Sequence, residues 1–288
     1  MQNAEKIGKK MKTVQPEGQY GVMNNDKMDK FLNELRGEAA KKAGETFLTN
    51  ACVGVYMTCV ENSAGKMGVS YTWRDENLVP HLCRGINDAG SLHGKKMSDI
   101  IELINSPSSL ERSLAMAGVN SLLNISMELE AQQGDMLLYL RDKYKGEKVA
   151  MIGHFPFADE MKKWAGEFHV IEKNPVGDDL TFDRGRKFLN EAAAVVITGT
   201  TILNKSFIEV ISECKNSFNV MLGPTVPPSE LLFDYGVSAI VAIRSLDNAR
   251  LYSSIAEGAI VPRFKGSEMV TYCREKLNLP QGDFRNRI

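Results

Sequence analysis

The sequence predicts an α/β protein whose second half forms a doubly wound parallel sheet. Beyond a polar segment at residues 142–148, short apolar runs alternate strictly with helical patterns. Runs such as Val149-Ala-Met-Ile-Gly153 and Ala193-Ala-Val-Val-Ile-Thr198 are continuous rather than alternating, which indicates strands buried on both faces. Because strand and helix alternate, the connections should be right-handed crossovers between parallel strands, as in a Rossmann-like domain.

Five strands and four helices follow from this pattern in the second half. We expect strands at residues 149–153, 168–172, 193–198, 219–223 and 239–243, with helices from about residue 158 and over 204–214, 229–235 and 247–257.

The first half has a less regular pattern, with strands followed by helices, which predicts a small α+β domain. Asp26 is a plausible cap for its first helix, and Asn62-Ser-Ala-Gly65 is typical of a hairpin turn. We place the domain boundary in the polar segment, which gives domains of 1–145 and 146–288. The expected elements are a helix over 28–39, strand-like runs over 49–61 and 66–73, and helices over 98–105, 110–123 and 129–144.

Composition and charge exclude several classes of function. The 288 residues carry a net charge of -1, and we find no basic stripe, so nucleic acid is not an expected partner. No run approaches the roughly 20 apolar residues of a membrane helix, and the N-terminal residues lack a signal-peptide pattern. Five scattered cysteines indicate reduced thiols. We expect a cytoplasmic homodimer that binds a small molecule.

Polar and unusual residues follow each predicted strand of the parallel sheet. In such sheets ligands bind outside the carboxyl ends of the strands, where helices begin and unpaired N–H groups converge. The candidate ligand-binding residues are Gly153, His154, Phe155, Pro156, Glu172, Asn174, Pro175, Thr198, Gly199, Thr200, Thr201, Asn204, Gly223, Pro224 and Thr225.

The loop after the first strand, Gly153-His-Phe-Pro-Phe157, argues against ordinary NAD or FAD binding. A dinucleotide-binding loop needs several glycines, whereas this loop has one and loses an N–H group at Pro156. His154 is a candidate catalytic residue as general base, hydrogen-bond donor or metal ligand. The alternative is that Pro156 opens the helix and His154 only caps or packs.

The next two strand ends offer different hydrogen-bonding groups. Glu172 stands where a Rossmann domain holds ribose hydroxyls, which favours an adenosine-like or polyol ligand, although simple solvation is equally consistent. Thr198-Gly-Thr-Thr201, with Asn204, can hold a carboxylate, a phosphate or a hydroxylated ring. Thr201 alone is explained as well by helix capping. Gly223-Pro-Thr-Val-Pro-Pro228 forms a rigid fourth loop.

The sequence gives weak evidence for a structural metal site. His81, Cys83 and His93 have suitable side chains but lack a further ligand at close spacing. Cys52 and Cys59, seven residues apart in one strand-like run, are expected on opposite faces as core residues.

The strand-end loops resemble, in order and spacing, those of the putative heavy-metal-chelation family. The resemblance covers residues 149–258 well, and the first half resembles the partner domain of that family. The matching segments are Ile152-Gly-His-Phe-Pro, Glu172-Lys-Asn-Pro, Ile197-Thr-Gly-Thr-Thr-Ile-Leu-Asn, Leu222-Gly-Pro-Thr, Leu232-Phe-Asp-Tyr-Gly-Val, Gly68-Val-Ser-Tyr-Thr-Trp, Leu92-His-Gly-Lys and Ala117-Gly-Val-Asn-Ser121.

The resemblance implies an enolase N-terminal-like domain followed by a Rossmann-like domain, with a site in the cleft between them. The implied role is metal chelation, or the making or processing of a chelator such as a pterin, flavin or siderophore-like molecule. This sequence departs from the family at Gly223-Pro-Thr-Val-Pro, where Gly-Pro-Ser-Thr-Pro is more usual. It departs again at Val241-Ala-Ile-Arg244, where a small Ala-Gly-Ser turn is typical.

Several functions are therefore consistent with the sequence. The first is a metal-linked small-molecule site with a transition metal or a pterin- or adenosine-like ligand, contacted by His154, Glu172, Asn174, Thr200, Thr201 and Asn204. An alternative is an enzyme of condensation, hydrolysis or group transfer with His154 as acid or base. S-adenosylmethionine ranks third because the glycine-rich loop is missing, and a pure scaffold would fill the cleft with side chains.

Overall fold

The structure is a computed structural model that describes residues 21–74, 85–123 and 131–282. Its helices are α1 (Gly21–Ala43), α2 (Met97–Glu102), α3 (Ser109–Leu123), α4 (Met136–Tyr144), α5 (Ala158–Trp164), α6 (Phe182–Glu191), α7 (Thr200–Leu203), α8 (Phe207–Glu213), α9 (Leu231–Asp234) and α10 (Asn248–Ala256). Its strands are β1 (Leu48–Val53), β2 (Met57–Asn62), β3 (Met67–Tyr71), β4 (Lys148–Ile152), β5 (Glu167–Ile171), β6 (Ala194–Thr198), β7 (Phe218–Leu222), β8 (Ala239–Ser245) and β9 (Ser267–Tyr272).

The larger sheet has six strands in the order β5-β4-β6-β7-β8-β9. The first five are parallel, and β9 pairs antiparallel with β8. The chain leaves β4 toward β5 on one side and leaves β6 toward β7 on the other. The crevice between the carboxyl ends of β4 and β6 is therefore the topological switch point, where doubly wound sheets bind ligands.

Successive side chains of β4 enter two different cores, which is why its sequence is continuously apolar. Ala150 and Ile152 belong to a buried cluster that also includes α6, α8 and α9. Val149 and Met151 face the opposite side, where the cluster includes side chains of α4 and α5 such as Trp164. Helices thus cover both faces of the sheet.

The smaller sheet is antiparallel, in the order β1-β2-β3, and α3 packs directly against it. A Cβ atom at Gly68 would lie 2.2 Å from the carbonyl oxygen of Ala117 and 2.2 Å from the amide nitrogen of Ser121. Only glycine allows β3 to approach the helix backbone so closely. The Gly68 position and the Ala117–Ser121 segment of α3 are therefore in direct backbone contact.

The outer edge of β3 is closed by side chains instead of another strand. The backbone N–H of Tyr71 donates to the Thr225 hydroxyl at 2.9 Å, and that of Trp73 donates to the Ser113 hydroxyl at 2.9 Å. The Asn120 amide donates to the carbonyl of Val69 at 2.7 Å. The Thr225 bond comes from the loop after β7, so it joins the two sheets.

The predicted fold class is confirmed: a doubly wound, largely parallel sheet follows a small α+β region. The Asn62–Gly65 turn is also confirmed, since the Gly65 N–H donates to the Asn62 carbonyl between β2 and β3. In the described part of the chain, no helix combines the length and hydrophobicity needed to cross a bilayer.

Several predicted elements are wrong in detail. The run over 49–61 is two strands, β1 and β2, because the chain reverses at residues 54–56. That reversal places Cys52 directly opposite Cys59 on the same face, not on opposite faces. Asp26 lies within α1 and is no cap. The helix predicted from 129 begins at Met136, where the Asp135 carboxylate accepts two N–H groups as its N-cap.

Helix α6 and strand β9 were not predicted from the sequence. Helix α6 buries Gly185, Phe188 and Leu189, a spacing of three and four residues that a periodicity test could have found. Strand β9 is antiparallel, and it follows a segment without a regular pattern.

We predict that Gly68→Ala lowers the free energy of unfolding by at least about 3 kcal/mol, because the methyl group would overlap the α3 backbone. Gly37→Ala is the matched control, since no atom lies within 4 Å of its added Cβ, and it should stabilise α1 by about 0.5–1 kcal/mol. Urea unfolding measures both. Equal effects would show that β3 and α3 are not in close contact.

Candidate functional site

A cavity of about 450 Å³ lies at the topological switch point and is lined by residues from both sheets. This volume is within the range of small-molecule sites. The lining residues are Tyr56, Met57, Tyr71, Trp73, Gly153, His154, Phe155, Pro156, Glu172, Thr198, Gly199, Thr200, Leu222, Gly223, Pro224, Thr225, Ile260, Val261, Pro262 and Met269.

Most candidate residues from the four strand-end loops line this cavity, and four do not. Asn174 and Pro175 are exposed and lie outside the lining. The Thr201 hydroxyl is buried and donates to the Thr198 carbonyl at 2.8 Å. The Asn204 side chain accepts the Ser206 N–H at 3.0 Å. Thr201 and Asn204 therefore stabilise the turn around α7.

Gly153 brings the β4 loop against the end of β6. Its φ is 89°, which disfavours other residues, and an added Cβ would lie 2.8 Å from the Thr198 Cγ2 atom. The Glu172 carboxylate fixes the same loop, because it accepts the N–H of His154 at 3.2 Å and that of Lys173 at 2.7 Å. Glu172 thus holds two loops in place at the rim of the cavity.

His154 forms a dyad with Asp179, a residue that the sequence analysis did not single out. The His154 Nδ1 atom lies 3.0 Å from Asp179 Oδ2. The Asp179 side chain is only 7% exposed, whereas that of His154 is 54% exposed. The carboxylate orients the ring and leaves Nε2 for other contacts. His154 also borders a second, more polar cavity that Asp179 and His169 help to line.

Hydroxyl groups occupy the end of β6. The hydroxyls of Thr198 and Thr200 lie 3.1 Å apart, and the Thr200 N–H donates to the Thr198 hydroxyl at 3.3 Å. Gly199 between them permits a close approach of the β7 loop, since its Cβ would lie 2.8 Å from the Val226 nitrogen. Each threonine hydroxyl has further capacity to bond a ligand.

The aromatic side of the cavity comes from the small sheet. The rings of Tyr71 and Trp73 lie 6.4 Å apart, and the Lys173 Nζ atom is 5.9 Å from the centre of the Trp73 indole. Met57 and Met269 add apolar surface. No site residue was predicted here. A signal existed in Gly68-Val-Ser-Tyr-Thr-Trp, where Tyr71 and Trp73 are two residues apart and therefore lie on the same face of an extended chain.

The side chains that line the switch-point cavity do not fit a directly bound metal of the zinc type. Such a site needs three or four converging protein ligands, and within residues 21–74, 85–123 and 131–282 no group of three His, Cys, Asp or Glu side chains converges. His93 is exposed, and its Nδ1 lies 2.8 Å from the Thr49 carbonyl. His81 and Cys83, the other members of the predicted metal set, lie outside the described residues.

We predict that neutral His154 carries its proton on Nδ1, because only a protonated Nδ1 can donate to the Asp179 carboxylate. Asp179→Ala should remove this tautomer preference, which ¹⁵N NMR of the imidazole measures. Asp178→Ala is the control, since the Asp178 side chain is 99% exposed and pairs with Lys162. The same tautomer mixture in both variants would contradict the dyad.

Comparison with known proteins gives one family and its fold. Two family models, both described as "Putative heavy-metal chelation", match residues 36–123 and 135–274. An uncharacterized protein of Methanocaldococcus jannaschii is 27% identical over 222 residues, which cover 74% of this chain and 83% of that protein.

Two crystal structures of DUF364-family proteins of unknown function share the fold. The one from Desulfitobacterium hafniense has a TM-score of 0.71 at 19% identity, covering 85% of this chain and 99% of that chain. The one from Pyrococcus horikoshii has a TM-score of 0.72 at 20% identity, covering 84% and 99%. The chain belongs to the family described as putative heavy-metal chelation, as its strand-end loops predict.

Proposed function

We propose that this protein binds a flat, ring-bearing small molecule in the cavity at the switch point, and that the ligand is itself a metal chelator. The observation that carries the proposal is the composition of the cavity wall. Tyr71, Trp73 and Phe155 offer aromatic surface, and Thr198 and Thr200 offer hydrogen bonds. Such a site, mostly apolar with a few polar groups, suits a small molecule with a planar ring.

Two observations support the proposal that the ligand is a metal chelator: the description of the family and the small number of metal-binding side chains at the cavity. Because the described residues hold no group of three or more His, Cys, Asp or Glu side chains at this cavity, a metal there would need most of its donors from the ligand. Pterin, flavin and siderophore-like rings carry such donors. His154 can add one imidazole nitrogen, since its Nε2 atom is not the one that bonds Asp179.

The proposed ligand should quench Trp73 fluorescence. The chain has two tryptophans, and Trp164 is buried in a different cluster, beneath the large sheet. We expect riboflavin, pterin or 2,3-dihydroxybenzoate, alone or with Fe(III), to quench wild-type emission. Trp73→Ala should weaken binding roughly tenfold because a stacking contact is lost.

Trp164→Phe serves as the matched control for this experiment. It should retain both the quenching and the affinity, because Trp164 does not line the cavity. Calorimetry gives the affinity of each variant independently of fluorescence. Binding that is equally strong in Trp73→Ala would place the ligand elsewhere.

The His154–Asp179 dyad specifically favours a second candidate, an enzyme that condenses, hydrolyses or transfers a group on such a ring. A carboxylate-oriented imidazole at the edge of a cavity can accept a proton from one reacting group and return it to another. The adjoining polar cavity, bordered by the same histidine, offers space for a second reactant.

If the chain is such an enzyme, we expect His154→Gln to lower turnover of a pterin or flavin derivative at least about 100-fold, as loss of general acid–base catalysis does. His93→Gln is the control, because His93 lines neither the switch-point cavity nor the adjoining polar cavity. Product formation is followed by liquid chromatography. Unchanged turnover in His154→Gln would remove the dyad from catalysis and leave binding as the function.

A further inference from the structure

A hydrophobic cluster that contains several sulfur atoms lies between the small sheet and residues of β8, β9 and α10. The thiols of Cys52 and Cys59 belong to it, together with the thioethers of Met57, Met67 and Met269. Cys59 is fully buried and Cys52 is half-buried. Neither cysteine lines the switch-point cavity, so the proposed function does not use them.

The register of the hairpin brings the two thiols together. Cys52 pairs directly with Cys59 across β1 and β2, and directly opposed residues of an antiparallel pair share one face. Both thiols lie in an environment that disfavours their charged form. Burial, with a smaller contribution from the neighbouring Cys52 thiol, raises the pKa of Cys59 to about 12. Burial also raises the pKa of Cys52.

The ladder geometry favours a bridging ion over a disulfide. The Gly54 N–H donates to the Met57 carbonyl at 2.9 Å, and hydrogen-bonded pairs recur every second residue, so Cys52 and Cys59 form the next such pair. The Cβ atoms of directly opposed residues lie about 4.5–5.5 Å apart, and the shorter distances belong to non-hydrogen-bonded pairs, whereas a disulfide has Cβ atoms about 3.8 Å apart. Two metal–thiolate bonds of about 2.3 Å, the length known for zinc, span up to roughly 4.6 Å between sulfur atoms.

We propose that Cys52 and Cys59 form a two-thiolate site for a soft monovalent metal ion, with Cu(I) as the best match. Soft thiolate and thioether ligands select Cu(I) over harder ions, and the cluster supplies both kinds. On binding, two S–H bonds break, two Cu–S bonds form, two protons leave to solvent, and copper stays Cu(I). The half-buried Cys52 gives the ion access from solvent.

The test is Cu(I) transfer from its bicinchoninate complex to the full-length, reduced protein under anaerobic conditions. We expect wild type to take one Cu(I) per chain. Cys52→Ser should lower the affinity more than about 100-fold, since it removes a ligand. Cys214→Ala and Cys273→Ala should bind as wild type does, because these two thiols lie in other clusters. Wild-type affinity in Cys52→Ser, or no Cu(I) transfer to wild type, would overturn the proposal.

Two further measurements do not depend on the stability of that variant. In wild type, one equivalent of Cu(I) should protect Cys52 from alkylation, as read by peptide mass spectrometry. The affinity should rise toward 100-fold per pH unit above pH 7, because two thiol protons are released. Unchanged alkylation or a pH-independent affinity contradicts the site. Trp73→Ala should bind Cu(I) as wild type does. A negative Cu(I) experiment would therefore not contradict the proposed ring binding, and a negative ring-binding experiment would not contradict the Cu(I) site.

Discussion

The free edge of β3 is the constraint on which the rest of the structure depends. An unpaired strand edge exposes N–H and carbonyl groups that must find partners. Here Val69, Tyr71 and Trp73 find them in side chains of α3 and of the loop after β7. The small sheet is thereby joined to the large one by directional bonds, in addition to apolar packing.

This closure also gives the cavity its two kinds of wall. Asn120 donates to both Val69 and Pro224, so one amide sets the distance between β3 and the β7 loop. The cavity lining thus combines the aromatic rings of Tyr71 and Trp73 with the hydroxyl and imidazole groups of the strand-end loops. A ligand in the cavity would meet both apolar surface and hydrogen-bonding groups.

The sequence predicted those residues of the cavity wall that directly follow a strand, because the strands themselves are recognisable from the local pattern. Gly153, Thr198 and Gly223 end parallel strands, and a parallel sheet necessarily gathers such ends at one edge. It could not predict Tyr71 or Trp73, because their place depends on how the small sheet packs against the large one. Asp179 was missed for a similar reason, since only the folded β5–α6 connection brings it to His154. Cys52 and Cys59 were misplaced because the reversal at residues 54–56 was predicted as part of one strand, although Gly54 in a three-residue loop is a hairpin signal.

The most direct test of this account is the hydrogen exchange rate of the Tyr71 amide. Its N–H points away from β2 and bonds only the Thr225 hydroxyl among the contacts described. In wild type we expect the Tyr71 amide to exchange as slowly as the amides of β6. In Thr225→Val we expect the Tyr71 amide to exchange much faster. Fast exchange of Tyr71 in wild type, with β6 still protected, would show that the two sheets are not joined there and that the cavity has no fixed second wall.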